Sequence, residues 1–293
     1  MKKILLIALF VATGAVAQET TTTSAPATTS DSTSTFSFGG LLDDLRKSPL
    51  SLSFSNEVGS TRGTDHAVNG FYNDFSGLLS YKLTDKDSFR FNTGFYASDA
   101  IGKAEEKNVQ WTGATLRYKR SQILVADKHG VDMSAEFRLN AFDKFWDKDG
   151  DKRTGSYSFR ANFSRELMNN VSMFTQLRYD EYFRTSSAAK VGRRKFVALL
   201  YPSWVFAKDW YLATAVSFNW YIGANGTTEK GKKIQKYTNR IGFAPEVGYA
   251  FNKDFSIGAY WDSTPFTSND GKFFAEGLGK GSTFATYLSY KLF

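Results

Sequence analysis

The sequence predicts an all-β fold, a closed antiparallel transmembrane β-barrel of about twelve strands, and three observations carry the prediction. The first is alternation. In FYNDFSGLLSYKLT, residues 71–84, the odd positions include Phe71, Phe75, Leu79, Tyr81 and Leu83, and the even positions include Asp74, Ser76, Ser80, Lys82 and Thr84. A period of two gives a strand one greasy face. Asp85-Lys86-Asp87 turns the chain, after which Phe89, Phe91, Phe95 and Ala97 oppose Arg90, Asn92 and Ser98, so the hairpin keeps its faces distinct. The second is composition. Aromatic residues make up 16% of the 293 residues and the mean hydropathy is only -0.36, the pairing expected when half of each strand meets lipid and half meets water. The third is length: no stretch after residue 17 is long and apolar enough for a membrane-spanning helix, whereas strands of about ten residues cross a bilayer at a tilt of roughly 45°. A closed barrel then satisfies every backbone N–H and C=O in hydrocarbon.

Taken in order, the chain opens with Lys2-Lys3, an apolar run over 4–12 and Ala15-Val16-Ala17 before Gln18. These are the charged, apolar and small-residue parts of a secretory signal, expected over 1–17. Removing its two lysines from the formal net charge of +8 leaves 8 − 2 = +6, and no block of five or more like charges occurs, so nucleic acid is not an expected partner. The absence of cysteine excludes disulfides, Cys-ligated metals and an acylated lipoprotein cysteine.

Residues 18–35 are rich in Thr and Ser and read as a disordered lead, because such a composition buries too little apolar surface to offset ordering entropy. Residues 36–48, FSFGGLLDDLRKS, place Leu41, Leu42 and Leu45 at helical spacing ahead of Pro49. Two readings stand: a frayed linker, or a short amphipathic helix against the wall, in the lumen or at a subunit contact. The barrel is expected over 49–293.

Its strands are predicted at 50–59, 71–84, 88–98, 109–119, 131–142, 155–167, 171–184, 195–207, 210–224, 237–251, 255–266 and 282–293. Connections at 85–87, 168–170, 208–209 and 252–254 are short, while 60–70, 143–154, 185–194, 225–236 and 267–281 are long. Short periplasmic turns and long outer loops are the asymmetry expected of such barrels, with both termini in the periplasm. The connection 120–130 is long for its side and could hold a small helix or a miscounted strand.

Arg138, Arg160 and Arg178 all have the parity of the polar face, opposite to Phe137, Phe159 and Leu177. With adjacent strands about 4.8 Å apart, they should form a row on one lumen wall, within reach of Glu136, Asp180 and Glu166. Arg240 and Glu246 share the inward parity of their strand, and Arg90, Arg117 and Asp132 complete the expected lumen charges. Such an arrangement sets up a transverse field with a basic bias that draws anions inward. In a narrow barrel the same charges would instead pair and fill the interior.

Strands eight and nine carry bulk on both parities, with Phe196, Ala198 and Leu200 on one and Val197, Leu199, Tyr201 and Val205 on the other. An apolar lumen patch needs a cover. The Leu41/Leu42/Leu45 segment is one candidate, and a homo-oligomer contact through Phe196, Leu199, Trp204, Trp210 and Trp220 is another. Pro202 cannot donate to the ladder, which suggests a bulge or distorted edge.

Little points to chemistry at a site. The histidines, His66 and His129, fall in connections at opposite ends and lack the Ser and acid partners a hydrolase needs. Asp147-Lys148-Asp149-Gly150-Asp151 opens like a calcium loop, but Lys152 stands where Gly is required and Ser158 where the bidentate Glu belongs. Asn225-Gly226-Thr227 matches a glycosylation acceptor only formally. No catalytic residue, cofactor or metal is expected.

The final strand carries a family resemblance. Thr286-Tyr287-Leu288-Ser289-Tyr290-Lys291-Leu292-Phe293 ends an alternating strand on an aromatic residue and resembles the C-terminal signal by which bacterial outer-membrane proteins are recognised for assembly, with Tyr290 and Phe293 as its aromatics. It departs in phase, since Phe293 shares parity with Lys291 and Ser289. The resemblance implies an integral protein of the bacterial outer membrane, with membrane lipid and the assembly machinery as partners. More faintly, the Thr/Ser-rich lead and short helix resemble the porin-like proteins of predatory bacteria, which implies ring-shaped oligomers enclosing lipid. Twelve-stranded barrels also include a phospholipase class, which the two histidines do not support. The expected function is a porin-like barrel passing small hydrophilic, preferably anionic solutes. The alternative is a structural, oligomeric barrel with little or no open pore.

Overall fold

The computed structural model describes residues 48–62, 68–100, 108–141, 153–184, 194–222, 237–269, 272–275 and 282–292. The expected signal, the lead, the Leu41/Leu42/Leu45 helix, His66, the Asp147 loop, Asn225 and Phe293 lie outside these residues. Within them the chain forms β1 (Leu50–Arg62), β2 (Val68–Lys82), β3 (Asp87–Ala100), β4 (Asn108–Leu124), α1 (Ala126–His129), β5 (Asp132–Ala141), β6 (Arg153–Met168) and β7 (Val171–Arg184). It continues with β8 (Arg194–Ala207), β9 (Trp210–Ile222), β10 (Tyr237–Ala250), β11 (Phe255–Asn269), β12 (Lys272–Ala275) and β13 (Thr283–Lys291).

Each strand from β1 to β11 pairs antiparallel with the next, β13 pairs with β11, and β1 pairs with β13 from Ser53↔Lys291 to Thr61↔Thr283. The four-residue β12 pairs only with the far end of β11, so of thirteen strands twelve close into a ring. The predicted strands all form. β12 is an addition inside the long connection 267–281, where Phe273 and Phe274 gave no alternation to read.

The two faces separate as the alternation requires. Phe71 is 54% exposed and Leu79 41%, an outer face that only lipid suits. On the other face the Ser55 and Ser76 hydroxyls meet at 2.7 Å. One register shift keeps the separation intact. Gly113 has φ 89° and sits where the β3–β4 register shifts between Thr93 and Phe95, a bulge that turns Trp111 and Leu116 outward although their parities differ.

The connection after the fourth strand holds the small helix that was one of its two expected readings, and no miscounted strand. β4 runs on to Leu124 past a register shift at Arg120/Leu124, with Gln122 at φ 55°. The one-turn α1 follows and ends at Gly130, φ 72°. Asp132, expected as a lumen charge, accepts the Ala126 N–H through Oδ1 at 2.9 Å and so braces this corner. Pro202 makes no bulge: Leu200↔Val216 and Ser203↔Ala213 keep one register across it, and the ladder is interrupted without being shifted.

Candidate functional site: a basic ramp facing tyrosine-held carboxylates

Two adjacent inward rows carry most of the lumen charge. One runs through paired residues Lys82, Ser88, Lys119, Glu136, Arg160, Arg178, Val197, Asn219 and Arg240. The other, two residues away along each strand, runs through Ser80, Arg90, Arg117, Arg138, Ser158, Asp180, Lys195 and Tyr221. The first holds five cations and one carboxylate, the second four and one.

A row of paired residues runs perpendicular to the strands, and the strands tilt, so the row climbs the barrel. With a spacing of about 4.8 Å and a tilt near 40°, each strand adds about 3 Å of height, or about 25 Å from β2 to β10. The register agrees. Lys82 is the last residue of β2 at the short-turn end, whereas Arg240 lies near the long-loop end of β10. The basic groups therefore form a ramp through most of a hydrocarbon core of about 30 Å. Arg138, Arg160 and Arg178 share similar depth because the step from one row to the other at β6 offsets the climb.

Among the described residues three of these nine cations have a carboxylate partner, the first being Lys82, whose Nζ lies 2.7 Å from Asp85 Oδ1 at the short turn. Arg138 Nε pairs with Glu136, Arg178 Nε lies 3.0 Å from Asp180 Oδ2, and Ser158 Oγ also donates to Asp180. The buried Nε atoms of Arg90, Arg117, Arg160 and Arg178 have no hydrogen-bond acceptor; for Arg178 the ion pair is close but misaligned for a hydrogen bond. At the upper end Lys195 Nζ lies 4.9 Å and Arg240 Cζ 5.9 Å from the Tyr221 ring centroid, within cation–π range.

The facing wall is built from tyrosines around two glutamates. Glu57 Oε1 accepts from Tyr72 and Tyr260, each at 2.7 Å. Tyr260 reaches it from β11 across β13, where Ala285, paired with Tyr260 and Gly59, is fully buried. Glu246 accepts from Tyr201 at 2.7 Å, from Tyr211 at 2.8 Å and from Tyr287, and the Tyr211 and Tyr287 hydroxyls also meet. These tyrosines lie flat along the wall because glycines make room. A Cβ on Gly258 would stand 2.5 Å from Tyr287 Cζ, and one on Gly59 2.5 Å from the Tyr72 hydroxyl. Asp74 and Asp262 add further carboxylates to this face, paired in register with Glu57 and Thr283.

The remaining expected site residues fall elsewhere. Glu166 stands opposite Ser172 at the short-turn end, six residues or about 20 Å along the strand from Arg160, so the expected approach to the arginines does not occur. Leu199 pairs with Gln176 and Ser217 on the inward face, which corrects its place in an outer contact. Phe196, Trp204, Trp210 and Trp220 are outward and 42–51% exposed. Tyr290 is outward and pairs with Phe54 and Phe255. His129 Nδ1 contacts the Val125 backbone. Among the described residues no group of three or more His, Cys, Asp or Glu could hold a metal.

No protein-family model matches the chain, and no curated protein matches it. Solved structures do. An outer-membrane channel from Pseudomonas putida F1 aligns with a TM-score of 0.55 at 13% identity, over 83% of this chain and 96% of that one. The NanC porin aligns with a TM-score of 0.50 at 9% identity, over 81% and 98%, and the KdgM porin with 0.47 at 10% identity, over 81% and 98%. The fold is that of the bacterial outer-membrane porins. In a porin-type barrel an inward carboxylate is read from parity alone, but Tyr260 and Glu57 are 203 residues apart in sequence. Parity assigns a face to each residue, but only the register shows which carboxylate each tyrosine reaches.

Proposed function

We propose that this chain is a non-enzymatic barrel of the bacterial outer membrane that passes small hydrophilic solutes, anions in preference to cations. The observation that carries the reading is the imbalance on the ramp: nine cations over two rows against two carboxylates. A filled barrel would pair its charges, whereas among the described residues the buried Nε atoms of Arg90, Arg117 and Arg160 have no hydrogen-bond partner. The facing glutamates are held to the opposite wall by the tyrosine hydroxyls they accept, so the basic and acidic sides of the lumen stay apart. An anion thus meets a cation on every strand of the ramp except β9.

Planar-bilayer recording tests this. The wild-type protein is expected to conduct with anion over cation preference, and Arg138→Glu together with Arg178→Glu to lower the selectivity ratio by roughly threefold to tenfold. A sealed protein overturns the channel reading, and a selectivity ratio unmoved by the two reversals overturns the assignment to the ramp.

A further inference from the structure

The outer face of the barrel is not uniform. On β8 and β9 the outward residues include Phe196, Leu200, Trp204, Leu212 and Trp220, all apolar or aromatic and exposed, as lipid requires. On β1 and β2 the outward row contains two amides. Asn56 shares its face with Phe54 and Val58, and Asn73 with Phe71 and Phe75; Val58 is 44% exposed and Phe71 54%. Asn56 lies six residues from either end of β1, 56 − 50 and 62 − 56, which is the depth of the hydrocarbon.

The two amides bond each other once, Asn56 Nδ2 donating to Asn73 Oδ1 at 2.8 Å. An amide pair with a single mutual bond leaves one carbonyl oxygen, one NH2 group and the second N–H of the donating amide unbonded by the pair, whichever way the amides are oriented. Acyl chains offer neither donor nor acceptor, and headgroups do not reach the strand centre, so in lipid these groups stay unpaired at high cost.

We propose that the outer face of β1 and β2 is a contact between two copies of this chain, in which the Asn56–Asn73 pair of one copy bonds the same pair of the other. The pair is self-complementary. Asn56 pairs with Phe75 and Asn73 with Val58, so the two amides stand at different heights, and a two-fold axis along the membrane normal sets Asn56 against Asn56 and Asn73 against Asn73 of the other copy, each amide keeping both an N–H and a carbonyl lone pair to exchange. Both copies keep the same orientation in the membrane, as common insertion demands. The contact lies across the barrel from the aromatic face of β8 and β9, and it holds whether or not the lumen conducts.

The absence of cysteine makes the test direct. Val58, paired with Asn73, is replaced by Cys and the protein is oxidised in its native membrane; Phe71→Cys serves as a second probe of the same face and Leu200→Cys as the probe of the opposite one. Heat-modifiability reports that each variant has folded. Val58→Cys or Phe71→Cys is expected to give a band of twice the chain mass, and Leu200→Cys none. Adding Asn56→Leu and Asn73→Leu is expected to lower the crosslinked fraction about tenfold, as for the loss of one or two amide hydrogen bonds in a bilayer, without lowering the folded amount. No dimer band from either probe, equal bands from both faces, a crosslink to a different protein, or a band untouched by the leucine pair would overturn the proposal.

Discussion

Removing residues 290–293 is expected to leave no folded barrel in the membrane. β13 is the strand that closes the ring, held by β1 on one side and β11 on the other. Tyr290 pairs with both Phe54 and Phe255, the Lys291 N–H donates to the Asp254 carbonyl at 2.8 Å, and the Leu292 N–H to the Leu52 carbonyl at 2.8 Å. Without these residues the ends of β1 and β11 face each other unpaired, and each backbone group left bare in hydrocarbon costs several kcal/mol, on the order of 2–7. The same residues carry the expected assembly signal, so loss in closure and loss in recognition act in the same direction. Heat-modifiability of the membrane fraction measures the outcome, with the chain lost to periplasmic proteolysis. Deleting residues 20–35, whose composition reads as a disordered lead, is expected to leave insertion intact. Normal amounts of heat-modifiable protein from the C-terminal truncation would contradict the role given to this strand.

The strands were legible because lipid and water impose opposite demands on alternate residues, and a period of two needs no knowledge of partners. The interruptions were also written locally. Trp111 and Leu116 are both apolar at opposite parity, and Gly113 between them is the residue that permits the bulge at φ 89°. Pairing Phe196 with Leu199 in one contact contradicted that same rule, since three residues apart they must face opposite sides; the register places Leu199 inward.

What alternation does not convey is register, and the site depends on register. Arg138, Arg160 and Arg178 could be given one wall from neighbouring strand lengths alone. The ramp from Lys82 to Arg240 needs eight successive pairings to be known. Glu166 failed for the same reason: its parity is right, but its height is wrong. The Glu57 cluster joins strands brought together only because the barrel closes, with β13 between Tyr260 on β11 and Glu57 on β1.

Two glycines keep that wall flat, and Gly258→Leu is expected to undo it. Tyr211, Gly248, Gly258 and Tyr287 stand in one row across β9, β10, β11 and β13. The two rings lean toward each other over the two glycines until their hydroxyls meet beside Glu246. A Cβ at Gly258 would fall 2.5 Å from Tyr287 Cζ, closer than any real contact, so the ring must leave the wall. Tyr287 then loses Glu246 and Tyr211 together, and its displaced ring and the new leucine both enter the lumen. Overpacking of this kind destabilises by about 1–3 kcal/mol. Single-channel conductance is expected to fall by about half or more, since a narrowed, less polar constriction hinders hydrated ions. The variant Gly258→Leu/Tyr287→Ala removes the displaced ring and should recover most of the lost conductance without restoring the hydrogen bonds to Glu246. Equal conductance in wild type and Gly258→Leu would mean that Tyr287 can lie elsewhere without entering the lumen.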